Sequence, residues 1–269
     1  MHFSFLFAIT SCSGTKEIKG SPEGQRKVIS LLNQGHKYYI EGNMSKAMSY
    51  YKNTVSLSYS IDFQEGAARG LNSMGAVKHL KGDIEGAMND FQSALKISER
   101  INDKKLLADS LGNIGKVLSL KGDIEKAMEY YKKAIAIDKE IGNEQGKALR
   151  LNNIGMVYKK QGRLDEAMTM FNDALKTSES IKNKGEIAIN LSNIGGVYEA
   201  KGDLNKALEY YKRALEIDKE MEYRRGIAID LSNIASIYKA MGKTEEAADY
   251  QRRAEKIYEL LGEGRGIQN

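Results

Sequence analysis

The chain has 269 residues and a net charge of +5, with one Pro, one Cys and three His. Lys and Arg alternate with Asp and Glu, which leaves no basic stripe of the kind nucleic acid requires. A single cysteine forms no intrachain disulfide, and three scattered histidines beside it make no zinc site. One proline leaves long helices unobstructed, and the abundant Ala, Leu, Lys and Glu favour them.

Phe3 to Ile9 open the chain with an apolar run too short to span a bilayer. It matches the hydrophobic region of a secretory signal. The tetrad Ile9-Thr10-Ser11-Cys12 that follows resembles the lipobox of bacterial lipoproteins. That resemblance implies that Cys12 is lipidated, becomes the first mature residue and anchors the protein to a membrane. Residues 1–11 are then a signal-like segment and residues 12–23, small and polar, a flexible tether. Only Met1 and His2 precede the apolar run, without the positive residues such signals carry. A chance apolar N-terminus on a cytosolic protein stays open.

From Gly24 to Leu261 one pattern returns every forty residues. Leu71-Asn72-Ser73-Met74-Gly75 recurs as Leu111-Gly112-Asn113-Ile114-Gly115, Leu151-Asn152-Asn153-Ile154-Gly155, Leu191-Ser192-Asn193-Ile194-Gly195 and Leu231-Ser232-Asn233-Ile234-Ala235. Gly42, Gly82, Gly122, Gly162, Gly202 and Gly242 keep the same step, as do Ala47, Ala87, Ala127, Ala167, Ala207 and Ala247. A strict period of this length predicts stacked supersecondary units rather than one globular core. In the unit from Gly146 to Gln161, Leu151, Ile154, Gly155 and Tyr158 share one helical face. Gly162 then ends that helix, and Ala167, Phe171, Ala174 and Leu175 mark one face of a second. Asp83, Asp123 and Asp203 follow the turn glycine where they can cap the second helix. Gly155 and its equivalents predict a close approach of the two helices, filled by Tyr51, Phe91, Tyr131, Phe171 and Tyr211.

The spacing Gly155, Tyr158, Gly162, Ala167, Phe171, Ala174 resembles that of the tetratricopeptide repeat, over about six copies. The resemblance implies an all-α, right-handed superhelical solenoid of about six antiparallel helix pairs at 24–261. The units are longer than the usual ~34 residues. The extra residues fall between one unit's second helix and the next unit's first, as in Ile137 to Ala148. Forty-residue units resemble those of spindle-orientation scaffolds, kinesin light chains and several bacterial regulator domains. Thr54 replaces the later alanines in the first unit, and Ala248 and Gln251 dilute the last, as capping repeats of a complete array would. Residues 262–269 read as a disordered tail.

In this family the first helices line the concave side, where ligands usually lie. Asn113, Asn153, Asn193 and Asn233 occupy the same place in four units. An amide donates and accepts at once, so such a row can pair with an extended backbone of any sequence. Lys116, Met156, Lys160, Ile189 and Ile229 lie on the same faces and complete the candidate peptide-binding groove. The alternative is that these asparagines satisfy polar groups inside the solenoid. Cations needed for a chaperone-tail carboxylate clamp are missing beside Asn153, where Gly112 and Ile189 stand.

Gly242-Lys243-Thr244 imitates the end of a phosphate loop, but Ile237 stands where its first glycine belongs. Gly262 to Gly266 follows no strand, and no serine or cysteine has a plausible base. The sequence therefore predicts no enzyme, no cofactor, no metal, no nucleic acid and no small-molecule substrate. It predicts a scaffold or adaptor that binds a protein or peptide segment, lipid-anchored at a bacterial cell envelope. The alternative is a regulatory repeat module, cytosolic or at the envelope, controlling a kinase or transcription regulator. A self-assembling solenoid, docking through Ile257, Tyr258, Leu260 and Leu261, is a third.

Overall fold

The computed structural model describes residues 21–261, which fold into twelve helices with no strand among the described residues. The signal-like segment, Cys12, most of the tether and the tail from 262 lie outside the described residues. The chain divides after Gly146 into two compact units. The first holds α1 (Pro22–Ile40), α2 (Met44–Ser60), α3 (Gln64–Leu80), α4 (Ile84–Arg100), α5 (Lys104–Lys121) and α6 (Ile124–Glu140). The second holds the body of α7 (Glu144–Lys160), then α8 (Leu164–Ser180), α9 (Lys184–Ala200), α10 (Leu204–Glu220), α11 (Arg224–Ala240) and α12 (Thr244–Leu260).

Consecutive helices run antiparallel in pairs, and within each unit a second helix packs on the next first helix. The residues that lengthen each repeat are helical. Between α6 and α7 only Ile141 to Asn143 remain non-helical, so the extra residues lengthen the two helices. The first helix likewise begins at Pro22, inside the segment read as tether, because Ser21 accepts from the Gly24 amide and Pro22 presets the first turn.

Both kinds of turn are built alike. At the turn after α3 the Asp83 amide reaches back to the Lys78 carbonyl and the Gly82 amide to His79; after α4, Asp103 reaches Ser98 and Asn102 reaches Glu99. This closure needs one left-handed residue. Inside pairs it is always glycine, such as Gly162 at φ 75°, while between pairs Asp62, Asn102, Gly142, Lys182 and Glu222 take it. Asp83 and Asp203 cap the following helices as expected, accepting from the Gly86 and Lys206 amides. Asp123 makes no such cap and instead holds Lys126 Nζ at 2.7 Å.

The core is a series of equivalent seats. Tyr51, Phe91, Tyr131, Phe171 and Tyr211 are all buried. Each ring lies against the glycine of its partner helix: a Cβ added at Gly35, Gly75, Gly115, Gly155 or Gly195 would stand 2.4, 2.6, 2.9, 2.7 or 3.0 Å from it. Ala47, Ala87, Ala127, Ala167 and Ala207, fully buried, keep the two backbones close. A second pair of positions closes each hairpin from the side. Tyr38 stacks on Tyr50, Tyr198 on Tyr210 and Tyr238 packs on Tyr250, each at 5.4 Å; in the second pair Lys78 and Asp90 make an ion pair of 2.7 Å instead. Exposed ion pairs between helix ends, such as Lys184 with Glu220 at 2.9 Å, add under about 1 kcal/mol each.

Two substitutions separate packing from backbone geometry. In an ordinary helix Gly→Ala gains about 1 kcal/mol of propensity. Gly155→Ala instead destabilises the protein by about 1–2 kcal/mol in denaturant unfolding, because the methyl has no room beside Phe171. Gly162→Ala meets no atom within 4 Å. It costs about 1 kcal/mol purely through its left-handed backbone.

Candidate functional site: the first-helix face

First helices of successive pairs touch in the N-terminal unit, α1 against α3 and α3 against α5. Polar side chains therefore meet across these seams. Asn72 Nδ2 donates to Ser110 Oγ at 3.0 Å, and Asn113 Nδ2 donates to Asn72 Oδ1 at 3.5 Å. In the C-terminal unit Asn152 Nδ2 donates to Asn190 Oδ1 at 2.7 Å. Ser192 Oγ donates to Asp230 Oδ1 at 2.9 Å and accepts from Asn233 Nδ2 at 3.3 Å. The 38-residue bond recurs at all three seams, and the 41-residue bond joins it at Asn72–Asn113 and Ser192–Asn233.

This rearranges the expected groove. Asn113, Lys116, Asn153 and Met156 are buried and do not line an open surface. The close approach of helices at each small-residue seat draws these positions into the packing, and Met156 joins a core with Ala167, Phe171, Ile194 and Val197. Ile189, Asn193, Ile229 and Asn233 are half-buried, and Lys160 is exposed. The structure brings the last five together only as residues of α7, α9 and α11 in one unit; Asn113 and Lys116 belong to the other. Asn153 Oδ1 and Asn193 Nδ2 are buried without a hydrogen-bond partner. Cys12 lies outside the described residues.

Several members of the face went unnoticed in the sequence. Asn152 and Ser192 stand one residue before members of the asparagine series, Asn72 holds the same place in an earlier repeat before Ser73, and all three carry the seams. Their partners Ser110, Asn190 and Asp230 are buried polar residues at the same place in the repeat, eighty and forty residues apart, and that was the available signal. In the N-terminal unit a cleft is lined by Leu32 and His36 from α1, Arg69, Asn72 and Ser73 from α3, and Leu106 and Asp109 from α5. His36 Nε2 lies 3.4 Å from Ser73 Oγ. Burial and the Arg69 charge push its pKa down to about 4, so the ring is neutral at pH 7. His79 is lowered to about 3 by burial and by Lys116. Both histidines are half-buried.

Burial holds the Lys116 amine well below its ordinary pKa. On the same grounds Lys159 is lowered, against the pull of Glu199. Glu199 also accepts from Tyr211 Oη at 2.8 Å and from Ser236 Oγ at 3.3 Å, so one carboxylate joins α9, α10 and α11. Burial lifts Tyr211 far above its usual pKa, and this phenol stays protonated. No group of three or more His, Cys, Asp or Glu able to hold a metal occurs among the described residues.

The tetratricopeptide repeat family model matches residues 66–140, 146–220 and 186–260. No curated protein matches the chain in sequence. Among solved structures, BtubC (BKLC) from P. vanneervenii is similar at 19% identity and a TM-score of 0.60, over 91% of this chain and 95% of that one. A Rap protein complexed with Competence and Sporulation Factor is similar at 17% identity and 0.70, over 89% and 77%. Aspartyl phosphate phosphatase F from Bacillus subtilis is similar at 16% identity and 0.67, over 91% and 63%. At such identities the likeness is one of fold.

Two stability changes follow from the seams. Asn152→Ala leaves Asn190 without its donor and costs about 1–3 kcal/mol. Lys116→Met installs the residue that the next repeat already carries as Met156. Removing the buried amine takes away its pH-dependent part of the stability. Because the lysine's folded pKa is depressed, the wild type loses stability as pH falls from about 10.5, and the variant lacks that part of the slope. Guanidinium titrations at pH 7 and 10 measure both.

Proposed function

This chain belongs to the tetratricopeptide repeat family, and on that premise we propose that it is a non-enzymatic scaffold holding a partner's polypeptide segment against the face of its first helices. The observation that carries the reading is the makeup of that face within each unit. In the C-terminal unit it offers half-buried Ile189 and Ile229 for side-chain contact, with Asn193 and Asn233 beside them for backbone pairing and Lys160 at the edge. In the N-terminal unit it offers the cleft of His36, Arg69, Asn72, Ser73 and Asp109. A few directed polar groups among apolar ones suit an extended chain, and the many rigid pairs present them at low entropic cost. The similarity to a Rap protein complexed with Competence and Sporulation Factor supports a face of this fold that takes a ligand.

The protein is anchored at a bacterial cell envelope through a lipid on Cys12, a reading that rests on Ile9-Thr10-Ser11-Cys12 and the polar stretch behind it. A second reading, a regulatory module acting on a kinase or transcription regulator, draws on the likeness to the Rap protein and to aspartyl phosphate phosphatase F.

Membrane fractionation of the full-length protein and its Cys12→Ala variant separates these. The anchored scaffold predicts wild type with the membranes and the variant released; equal solubility removes the anchor and favours the regulator. Arrays of random nonapeptides test the face itself. Replacing Ile189 and Ile229 by Gln together lowers peptide retention at least tenfold with an unchanged melting temperature, and unchanged retention rejects this face.

A further inference from the structure

The seam between the last two pairs differs in chemistry from its neighbour. At the α8–α9 seam Asn190 Nδ2 donates to Ser178 Oγ at 3.2 Å, a neutral pair within hydrogen-bond reach. Forty residues on, the same two places hold Asp218 on α10 and Asp230 on α11, both buried. Asp218 lies directly on the α11 backbone: a Cβ at Gly226, one turn before Asp230, would stand 1.7 Å from its Oδ2. Asp230 accepts from Ser192 through Oδ1, while its Oδ2 is buried and has no hydrogen-bond partner. Two carboxylates in such a place cannot both be ionised at low cost, whereas one proton between them restores the donor that Asn190 supplies at the sister seam.

We propose that Asp218 and Asp230 share one buried proton, and that its loss on the alkaline side of neutrality loosens the α9–α10–α11 seam that seats Asn233. The coupling runs through Ser192, whose hydroxyl touches both Asp230 and Asn233. The surroundings offer little to replace the proton. From α10 come Tyr211, itself neutral, and Asp218; from α9 come Ser192 and, behind Tyr211, the carboxylate of Glu199. α12 turns Ala254, Ile257 and Tyr258 toward α11, and the nearest cationic residue before Asp230 on its own helix is Arg225. Burial raises Asp218 to about 6, and burial with the Asp218 charge raises Asp230 to about 8. For an acid whose folded pKa is raised, stability is greatest below the unfolded value near 4 and falls as pH climbs through the folded value. The window is therefore about pH 4 to 8, both carboxyls contributing up to about 6 and Asp230 alone from 6 to 8. The device is a property of the fold and holds whether or not a partner occupies the face.

Thermal melts of the full-length chain between pH 5.5 and 9.5 test it, alongside Asp230→Asn and the double variant Asp218→Ser/Asp230→Asn. The double variant recreates the Ser178–Asn190 pair that already folds one seam earlier, so it keeps the test open if the single variant unfolds. The wild type melts at least about 5 °C lower at pH 9 than at pH 6. The double variant loses most of that difference. Amide exchange of residues 228–236 quickens with pH beyond its intrinsic rate in the wild type and not in the double variant. A pH-independent melting temperature above 6, an equal slope in the double variant, or quickening spread evenly over α3 to α5 as well would each overturn the shared proton.

Discussion

Everything in this structure depends on one contact, an aromatic ring of a second helix seated on a glycine of the first. Phe171 on Gly155 is representative, and the same seat recurs with Tyr51, Phe91, Tyr131 and Tyr211. The missing Cβ lets the two backbones close to a distance at which a fully buried alanine, such as Ala167, suffices as filler. A hairpin closed this tightly has a narrow first-helix side, and neighbouring hairpins then bring their first helices into contact. The ring thus determines how close the polar residues of successive first helices come.

That closeness divides the first-helix polar residues into two groups. Those facing the seam are dehydrated and must pair with one another, as Asn152 does with Asn190 and Ser192 with Asp230. One step around the helix, Asn193 and Asn233 are half-buried beside Ile189 and Ile229, and of these Asn233 also donates to Ser192 across the seam while Asn193 does not. A seam tolerates changes of residue only as matched pairs, which explains why its chemistry varies from Asn–Ser to Asn–Asn to Ser–Asp without losing its bond. Where matching gives two acids, protonation takes over the role of the amide.

Most of the architecture was legible in the sequence because it is carried by residues with a single structural use. The turn glycines, the small residues of the seats and their aromatic partners each recur at forty-residue steps and predict helix pairs directly. Burial on the first helices was harder to read. Lys116 and Asn113 look like surface residues by type, yet both are buried, since exposure there depends on how near the next first helix lies rather than on the helix's own periodicity. Asn72 and Asn152 were overlooked for the same reason: the partner that gives each its meaning is 38 residues away. The lengthened repeat was visible as extra residues with no proline to stop a helix, and the left-handed turns at Asn102, Lys182 and Glu222 show where the extended helices end.

The central claim is that seam residues hold the fold and their half-buried neighbours hold a partner. Unfolding free energy and retention on the nonapeptide arrays, measured together for Asn152→Ala and Asn193→Ala, test it most directly. Asn152→Ala should lose stability and keep its retention. Asn193→Ala, which removes a buried amide donor without a partner, should keep or gain stability and lose retention. Loss of stability in both variants with retention unchanged would contradict the division and leave the whole asparagine series as structural stitching.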